Sequence, residues 1–232
     1  MRVQAWLLSG LARLPLGLLY VLSTVGSFVA FHWLRWRREL VTKNLASAFP
    51  DLAANEIDVL ALEHYQTLFD TAVETLKAST ISADELHQRV EMPNVELLEQ
   101  FSGQPFLLVG AHLGNWEWEM LALSARLDVP LEAIYAPVPS VAMNDFLVNA
   151  RSRFGLQLVE QENTLKEVAK RLKQPRGIVL LADQNPRRDA ERCWLSFLNQ
   201  DTAFGLGPEK IAKLARYPVV FFLRQPIAAW AL

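Results

Sequence analysis

The sequence predicts an α/β protein: a central, mostly parallel β-sheet flanked by helices, preceded by an apolar helix at the N-terminus. From residue 106 onward, short apolar segments rich in β-formers alternate with segments of helical periodicity, as in proteins with crossover helices. Hydrophobic residues make up 51% of the 232-residue chain, which is enough for one sizeable core. A segment of 21 residues between Arg13 and Arg35 has no charged side chain, which predicts the apolar helix.

Basic residues are concentrated in the N-terminal part of the chain. The net charge of the whole chain is −2, which gives no support for a nucleic-acid partner, but residues 1–50 contain six Lys and Arg and a single acid, Glu39. This distribution favours an anionic surface, most simply membrane lipids, as a partner. The apolar helix either spans the membrane, lies in its interface or packs on the domain. The basic residues that follow it predict that the body lies in the cytoplasm.

The remaining elements follow in chain order. An amphipathic helix of about six turns is expected from Asn55 to near Ala78, and polar residues 79–89 lead from it to a short helix at Val95–Phe101. Strands are then predicted at 106–110, 131–136, 156–160, 177–182 and 218–223, with helices at 116–127, 140–154, 163–173 and 208–216. We expect a membrane-associated segment at 1–38 and one α/β domain at 39–232.

The turn after the first strand contains a histidine and a carboxylate, His112 and Glu117. Ligands of open α/β sheets bind at the carboxyl ends of the strands. Within one helix a spacing of five would rotate the two side chains about 140° apart, so cooperation requires His112 to lie in the turn before the helix. Gly114 permits such a turn, and Asn115 is a good N-cap. A histidine together with a carboxylate that orients it is the minimum set of groups for general-base catalysis on a hydroxyl group.

The same residues allow a purely structural interpretation, and the spacing alone leaves it open. His112 would then be a hydrogen-bonded side chain at the end of a strand, and Glu117 a first-turn acid that complements the helix dipole. No metal is predicted, because neither this turn nor His64 and His87 show a metal-ligand spacing. The single cysteine, Cys193, excludes an internal disulfide.

The segment GAHLGNWEW, with its His-x4-Glu core, resembles the acyl-transfer motif of the bacterial lipid A biosynthesis acyltransferases, within the lysophospholipid acyltransferase superfamily. Other segments resemble further blocks of that family in the same order, between about residue 5 and residue 223. These segments are RRELVTKNLASAFPD, NARSRFGLQLV, LLADQNP and WLSFLNQDTAFGLGPEKIAKLARYPVVF.

The resemblance implies a membrane-associated enzyme on the cytoplasmic face of the bacterial inner membrane. Such an enzyme moves a fatty acyl chain from an acyl-carrier-protein thioester to a hydroxyl of a lipid A precursor or related glycolipid, without a cofactor. His112 would be the general base, and Glu117 would hold and support it. Cys193 would be incidental. Substrate-binding candidates are Asn115, Arg151, Arg153, Asp183, Gln184 and Arg187; the arginines suit lipid phosphates or the acidic carrier protein.

Two alternatives remain at this point: an acyl-CoA-dependent lysophospholipid or glycosyl-phospholipid acyltransferase, and a non-catalytic membrane-bound scaffold. The chain also departs from the family. It ends at QPIAAWAL, where the family continues with further strands and a basic segment, so we expect an uncovered edge strand at Val219–Leu223. The residues around FLNQDTAF differ from those of the best-known lipid A enzymes, so the acceptor could be another glycolipid or an aminolipid.

Overall fold

The computed structural model describes residues 2–223. Its helices are α1 (Arg2–Ala12), α2 (Leu16–His32), α3 (Arg38–Ala48), α4 (Ala54–Lys77), α5 (Ala83–Arg89), α6 (Trp116–Arg126), α7 (Val141–Arg151), α8 (Thr164–Lys170) and α9 (Gly207–Ala215). Its strands are β1 (Phe106–Gly110), β2 (Leu131–Tyr135), β3 (Gln157–Glu160), β4 (Gly177–Leu181), β5 (Arg192–Phe197), β6 (Gln200–Gly205) and β7 (Val219–Phe221). Short 3₁₀ turns, the longest at Val95–Phe101, complete the chain.

The central sheet has five parallel strands in the order β3-β2-β4-β1-β7, which confirms the predicted fold class. The middle strands β1 and β4 read FLLVG and GIVLL and are almost entirely buried, as expected for strands covered on both faces. Phe106 and Leu108 face a core completed by α6, whereas Leu107 and Val109 face one completed by α8 and α9. Within the described residues, β7 is the last strand of the order; the predicted effects of a short C-terminus concern residues 224–232, which lie outside them.

The N-terminal helices pack on α4, which places them against the body of the protein. Ser23 and Ser27 of α2 donate hydrogen bonds to Asp70 (2.6 Å) and Gln66 (2.8 Å) of α4. Between residues 2 and 223, no single helix is long and apolar enough to cross a bilayer. Trp6–Ala12 and Leu16–His32 meet that criterion only as a pair, and the pair is bent by 113°. The predicted domain boundary after residue 38 stays a prediction.

Three elements of the structure were not predicted: α3, α5 and the β5–β6 hairpin. Helix α5 lies in the segment 79–89, which was expected to be a polar connection. Ser82 caps α5 by accepting a hydrogen bond from the backbone N–H of Glu85 (3.1 Å). The hairpin forms a separate antiparallel sheet of two strands between β4 and α9.

Candidate active site

His112 and Asp183 meet at the carboxyl edge of the central sheet. In the parallel pairing of β1 with β4, Gly110 lies beside Leu181, so the residues two positions further along each strand, His112 and Asp183, also become neighbours. The imidazole Nδ1 of His112 lies 2.7 Å from Oδ1 of Asp183, and the backbone N–H of His112 donates to Oδ2 at 3.0 Å. Both carboxylate oxygens are therefore engaged by the same residue.

This contact fixes the chemical state of the imidazole. A carboxylate can only accept hydrogen bonds, so the proton of a neutral His112 ring must lie on Nδ1. The lone pair is then on Nε2, where a general base needs it. The ring is further held by an edge-on contact with Trp116, whose ring centroid lies 4.8 Å away.

The turn between His112 and α6 follows the prediction. Gly114 has a φ of +54°, which favours glycine, and α6 begins at Trp116. Asn115 is the N-cap, as expected, and its Oδ1 accepts a hydrogen bond from the backbone N–H of Trp118 (2.9 Å). Its Nδ2 donates to Oε2 of Glu74 (2.8 Å), which ties the start of α6 to α4. Asn115 thus holds the active-site turn in position and is buried.

Glu117 forms an ion pair with Arg151 of α7 and is almost fully buried. Nε of Arg151 donates to Oε2 of Glu117 at 2.8 Å, and Nη2 donates to the other carboxylate oxygen. Burial favours the neutral form of Arg151, but the hydrogen bond and charge of Glu117 outweigh this effect and raise the pKa of the guanidinium. The pair joins α6 to α7.

The structure does not bring the side chains of His112 and Glu117 into contact with each other through a hydrogen bond. Among the residues that the structure describes, no hydrogen bond joins these two side chains: Asp183 holds the imidazole, and Arg151 occupies the Glu117 carboxylate. The physical reason is topological. Parallel register brings Asp183 directly beside His112, whereas the first turn of α6 directs Glu117 towards α7.

The other predicted residues do not join this cluster. Nη1 of Arg153 donates to the carbonyl of Ala78 (2.7 Å), and burial lowers the pKa of its guanidinium. Arg187 contacts Glu162 at 3.3 Å in an exposed ion pair, and Gln184 is exposed. Within residues 2–223, no group of three or more His, Cys, Asp or Glu side chains is placed to hold a metal ion.

An apolar cavity of about 250 Å³ opens at the same edge of the sheet. Two carboxylates, Asp183 and Glu119, line it, as do Ala111 and Leu113, the neighbours of His112 in the chain. Much of the remaining lining is aromatic and comes from β6, β7 and the residue that follows β7. Sequence reasoning did not identify the aromatic residues of this lining, Phe204, Phe221 and Phe222. In the sequence, these residues could have been found only by their position at or near the ends of strands.

Comparison with known proteins identifies the family. The chain matches the bacterial lipid A biosynthesis acyltransferase family over residues 3–226, which is nearly its whole length. No curated protein matches it. The resemblance seen in the sequence is thus confirmed, and the chain belongs to the bacterial lipid A biosynthesis acyltransferase family and is an acyltransferase.

Proposed function

We propose that this acyltransferase moves a fatty acyl chain from an acyl-carrier-protein thioester to a hydroxyl of a lipid A precursor, with His112 as the general base. The observation that carries the proposal is the contact of Nδ1 of His112 with Asp183, a residue that also lines a mostly apolar cavity. It leaves Nε2 as the proton acceptor in a site suited to a fatty acyl substrate.

In the proposed reaction, Nε2 of His112 removes the proton of the acceptor hydroxyl as its oxygen attacks the thioester carbonyl. The resulting tetrahedral intermediate collapses by breaking the carbon–sulfur bond, and the imidazolium returns the proton to the departing thiolate. Asp183 stabilises the imidazolium between these two steps. The backbone amides at the amino end of α6 are candidates to stabilise the oxyanion.

Glu117 acts through position in this proposal. Its ion pair with Arg151 fixes the amino end of α6, four residues after His112, relative to α7. Breaking a buried pair by removing one partner is costly, so the turn that contains His112 depends on both residues. The role that the motif suggested for Glu117, support of the imidazole, passes to Asp183.

The apolar cavity is the proposed site for part of an acyl chain. Its volume of about 250 Å³ and its mostly apolar lining suit a short stretch of hydrocarbon. Its position beside Asp183 would place that stretch next to the reacting carbonyl. The thioester is already activated, so alignment of this kind contributes more than a covalent nucleophile would.

We also propose attachment to the cytoplasmic face of the bacterial inner membrane through α2. Side chains exposed along one face of this helix are apolar at helical spacing: Leu18, Val21, Leu22, Val25 and Phe28. The opposite face is occupied by α4. Trp33 and Trp36 are exposed beyond its C-terminal end, among arginines, as at membrane interfaces.

The test compares His112→Ala with His87→Ala, a control at an exposed histidine of α5. Transfer of a labelled acyl chain to a lipid A precursor is measured with acyl-carrier-protein and acyl-CoA donors. We expect His112→Ala to lose about 10²- to 10⁴-fold in kcat with an unchanged melting temperature, and His87→Ala to lose nothing. A folded His112→Ala variant with normal transfer would refute the mechanism, and a preference for acyl-CoA would refute the donor.

A further inference from the structure

The β5–β6 hairpin carries large apolar side chains on both of its faces. Strand alternation places Leu195 and Phe197 on one face and Trp194 on the other, and each of these side chains is more than half exposed. A two-stranded ribbon in water is marginal unless one of its faces packs on a core. Packing of one face would be enough to stabilise the hairpin, so the exposed apolar side chains on both faces are not explained by its own stability.

The tip of the hairpin is the least expected part. Leu198 and Asn199 form the two-residue connection, with φ values of +51° and +59°, as in a type I′ turn. Such turns favour Asn-Gly, and a left-handed conformation costs a leucine about 1–2 kcal/mol. Leu198 is also 49% exposed. An apolar side chain is thus held at the outermost point of the hairpin, against both backbone preference and hydration.

The tip lies beside the carboxyl end of α3, a helix whose basic residues lie towards its amino end. Nδ2 of Asn199 donates to the carbonyl of Ala48, the last residue of α3, at 3.4 Å. Helix α3 and the turn before it carry four basic residues and one acid, Glu39, and one of the basic residues, Arg38, is paired with Asp58 of α4 at 3.1 Å. The basic residues are Arg35, Arg37, Arg38 and Lys43.

We infer that the β5–β6 hairpin docks on an anionic phospholipid surface by inserting Leu198 and the neighbouring apolar side chains at the boundary between head groups and acyl chains. The basic residues of α3 and its preceding turn complement the lipid charge from the far end of the helix that the tip contacts. The inference rests on the proposed attachment through α2 and adds a second contact to it. Two contacts at separate places fix the orientation of the domain on the bilayer, which one helix alone would not do.

The base of the same hairpin reaches the candidate active site. Phe204 of β6 lines the apolar cavity together with Asp183, and the ring of Phe197 lies 5.7 Å from that of Phe204, edge to face. Apolar side chains thus lead from the tip of the hairpin towards the cavity.

The first test uses the full-length chain and vesicles of phosphatidylglycerol and phosphatidylethanolamine. Leu198→Asn suits the left-handed turn and adds no charge, so folding and electrostatic attraction are preserved. We expect about fivefold weaker binding to vesicles, because about half of one leucine side chain no longer enters lipid, with a melting temperature equal to or above that of the parent. The matched control is Leu214→Asn, on α9, where Leu214 is 64% exposed near the amino edge of the sheet.

The second test reports where the tip lies when the protein is bound. Cys193 is the single cysteine, so Cys193→Ser combined with Leu198→Cys takes one environment-sensitive fluorophore at the tip, and Cys193→Ser with Leu214→Cys takes it on α9. We expect a blue shift on vesicle binding at position 198 only. A label at 198 that stays in water on bound protein overturns the inference. Self-association in the absence of vesicles that Leu198→Asn abolishes would also overturn it, in favour of a second copy.

These outcomes are separate from those for the proposed function. With acceptor and donor dispersed in detergent, Leu198→Asn should transfer acyl groups as the parent does, because transfer no longer requires binding to a bilayer. His112→Ala should fail in detergent and still bind vesicles. Loss of vesicle binding by all variants and by the parent would contradict the attachment itself.

Discussion

Replacing Asp183 by asparagine tests the central contact of the site with almost no change in shape. Asp183 accepts two hydrogen bonds from His112, one from Nδ1 (2.7 Å) and one from the backbone N–H (3.0 Å). An amide has only one accepting oxygen, and the backbone N–H can only donate. In Asp183→Asn, the oxygen of the introduced amide must therefore face the backbone N–H, and its NH₂ group must face Nδ1.

This arrangement would reverse the tautomer of the imidazole. A donor facing Nδ1 makes that nitrogen the acceptor, and the ring proton then moves to Nε2, where it blocks the proposed base. The variant also loses a charge-assisted hydrogen bond to the imidazolium, worth about 1.5–3 kcal/mol. The two side chains are 24% and 35% exposed, so solvent screening favours the lower part of that range. About 2 kcal/mol corresponds to about 30-fold in rate, and the reversed tautomer brings the expected loss of kcat to at least about 100-fold.

Steady-state transfer from acyl-carrier-protein thioester measures this effect, with Glu117→Gln as the comparison. Glu117 does not contact His112, so Glu117→Gln should lower the melting temperature through its lost ion pair with Arg151 and change kcat far less. The reasoning is refuted if Asp183→Asn retains normal kcat while a folded Glu117→Gln enzyme is inactive. That result would return the carboxylate role to the residue that the motif suggested.

Two further substitutions probe the surroundings of the site. Gly110→Ala should lower the melting temperature, because a Cβ at this position would lie 2.0 Å from the Phe222 ring. Adding Phe222→Ala should recover most of the loss. A Gly110→Ala variant as stable as the parent would contradict this contact. Asp normally caps a helix as well as Asn does. At position 115 we nevertheless expect Asn115→Asp to be the more damaging change: in urea at neutral pH its free energy of unfolding should fall by about 1–2 kcal/mol more than that of Asn115→Ser. The reason is that Nδ2 donates to Glu74, whose carboxylate an Asp would repel, so equal losses for Asp and Ser would speak against it.

The alternating pattern predicted most of the sheet, because each of its strands is a short apolar segment bounded by turn residues. The predicted strand at 131–136 forms as Leu131–Tyr135, and the one at 177–182 as Gly177–Leu181. The β5–β6 hairpin escaped prediction because it lacks the usual signals: its turn is Leu198-Asn199 without glycine, and its strands expose apolar residues on both faces. These same departures carry the inference that the hairpin contacts lipid.

The site was only partly predictable, because its contacts depend on which strands and helices are neighbours. His112 and Asp183 were both identified at strand ends, but 71 residues separate them, and only the pairing of β1 with β4 makes them partners. Arg151 is a sequence-based candidate for binding lipid phosphate or the carrier protein, and its pairing with Glu117 appears only when α6 packs beside α7. A motif of fixed spacing favours partners within the motif and cannot indicate those that tertiary structure supplies.

The moderate hydropathy of α2 has a structural explanation that bears on its proposed contact with lipid. Polar side chains made this segment ambiguous in sequence, and Ser23 and Ser27 are buried and hydrogen-bonded to α4. Tyr20 likewise donates to Glu74 (2.6 Å), and burial together with this carboxylate raises the pKa of its hydroxyl. These three polar side chains lie on the protein side, and the exposed face of α2 is mostly apolar, with Thr24 and His32 as exposed polar residues. A helix with one face packed on protein and the other mostly apolar is suited to lie along a lipid surface, as proposed for α2.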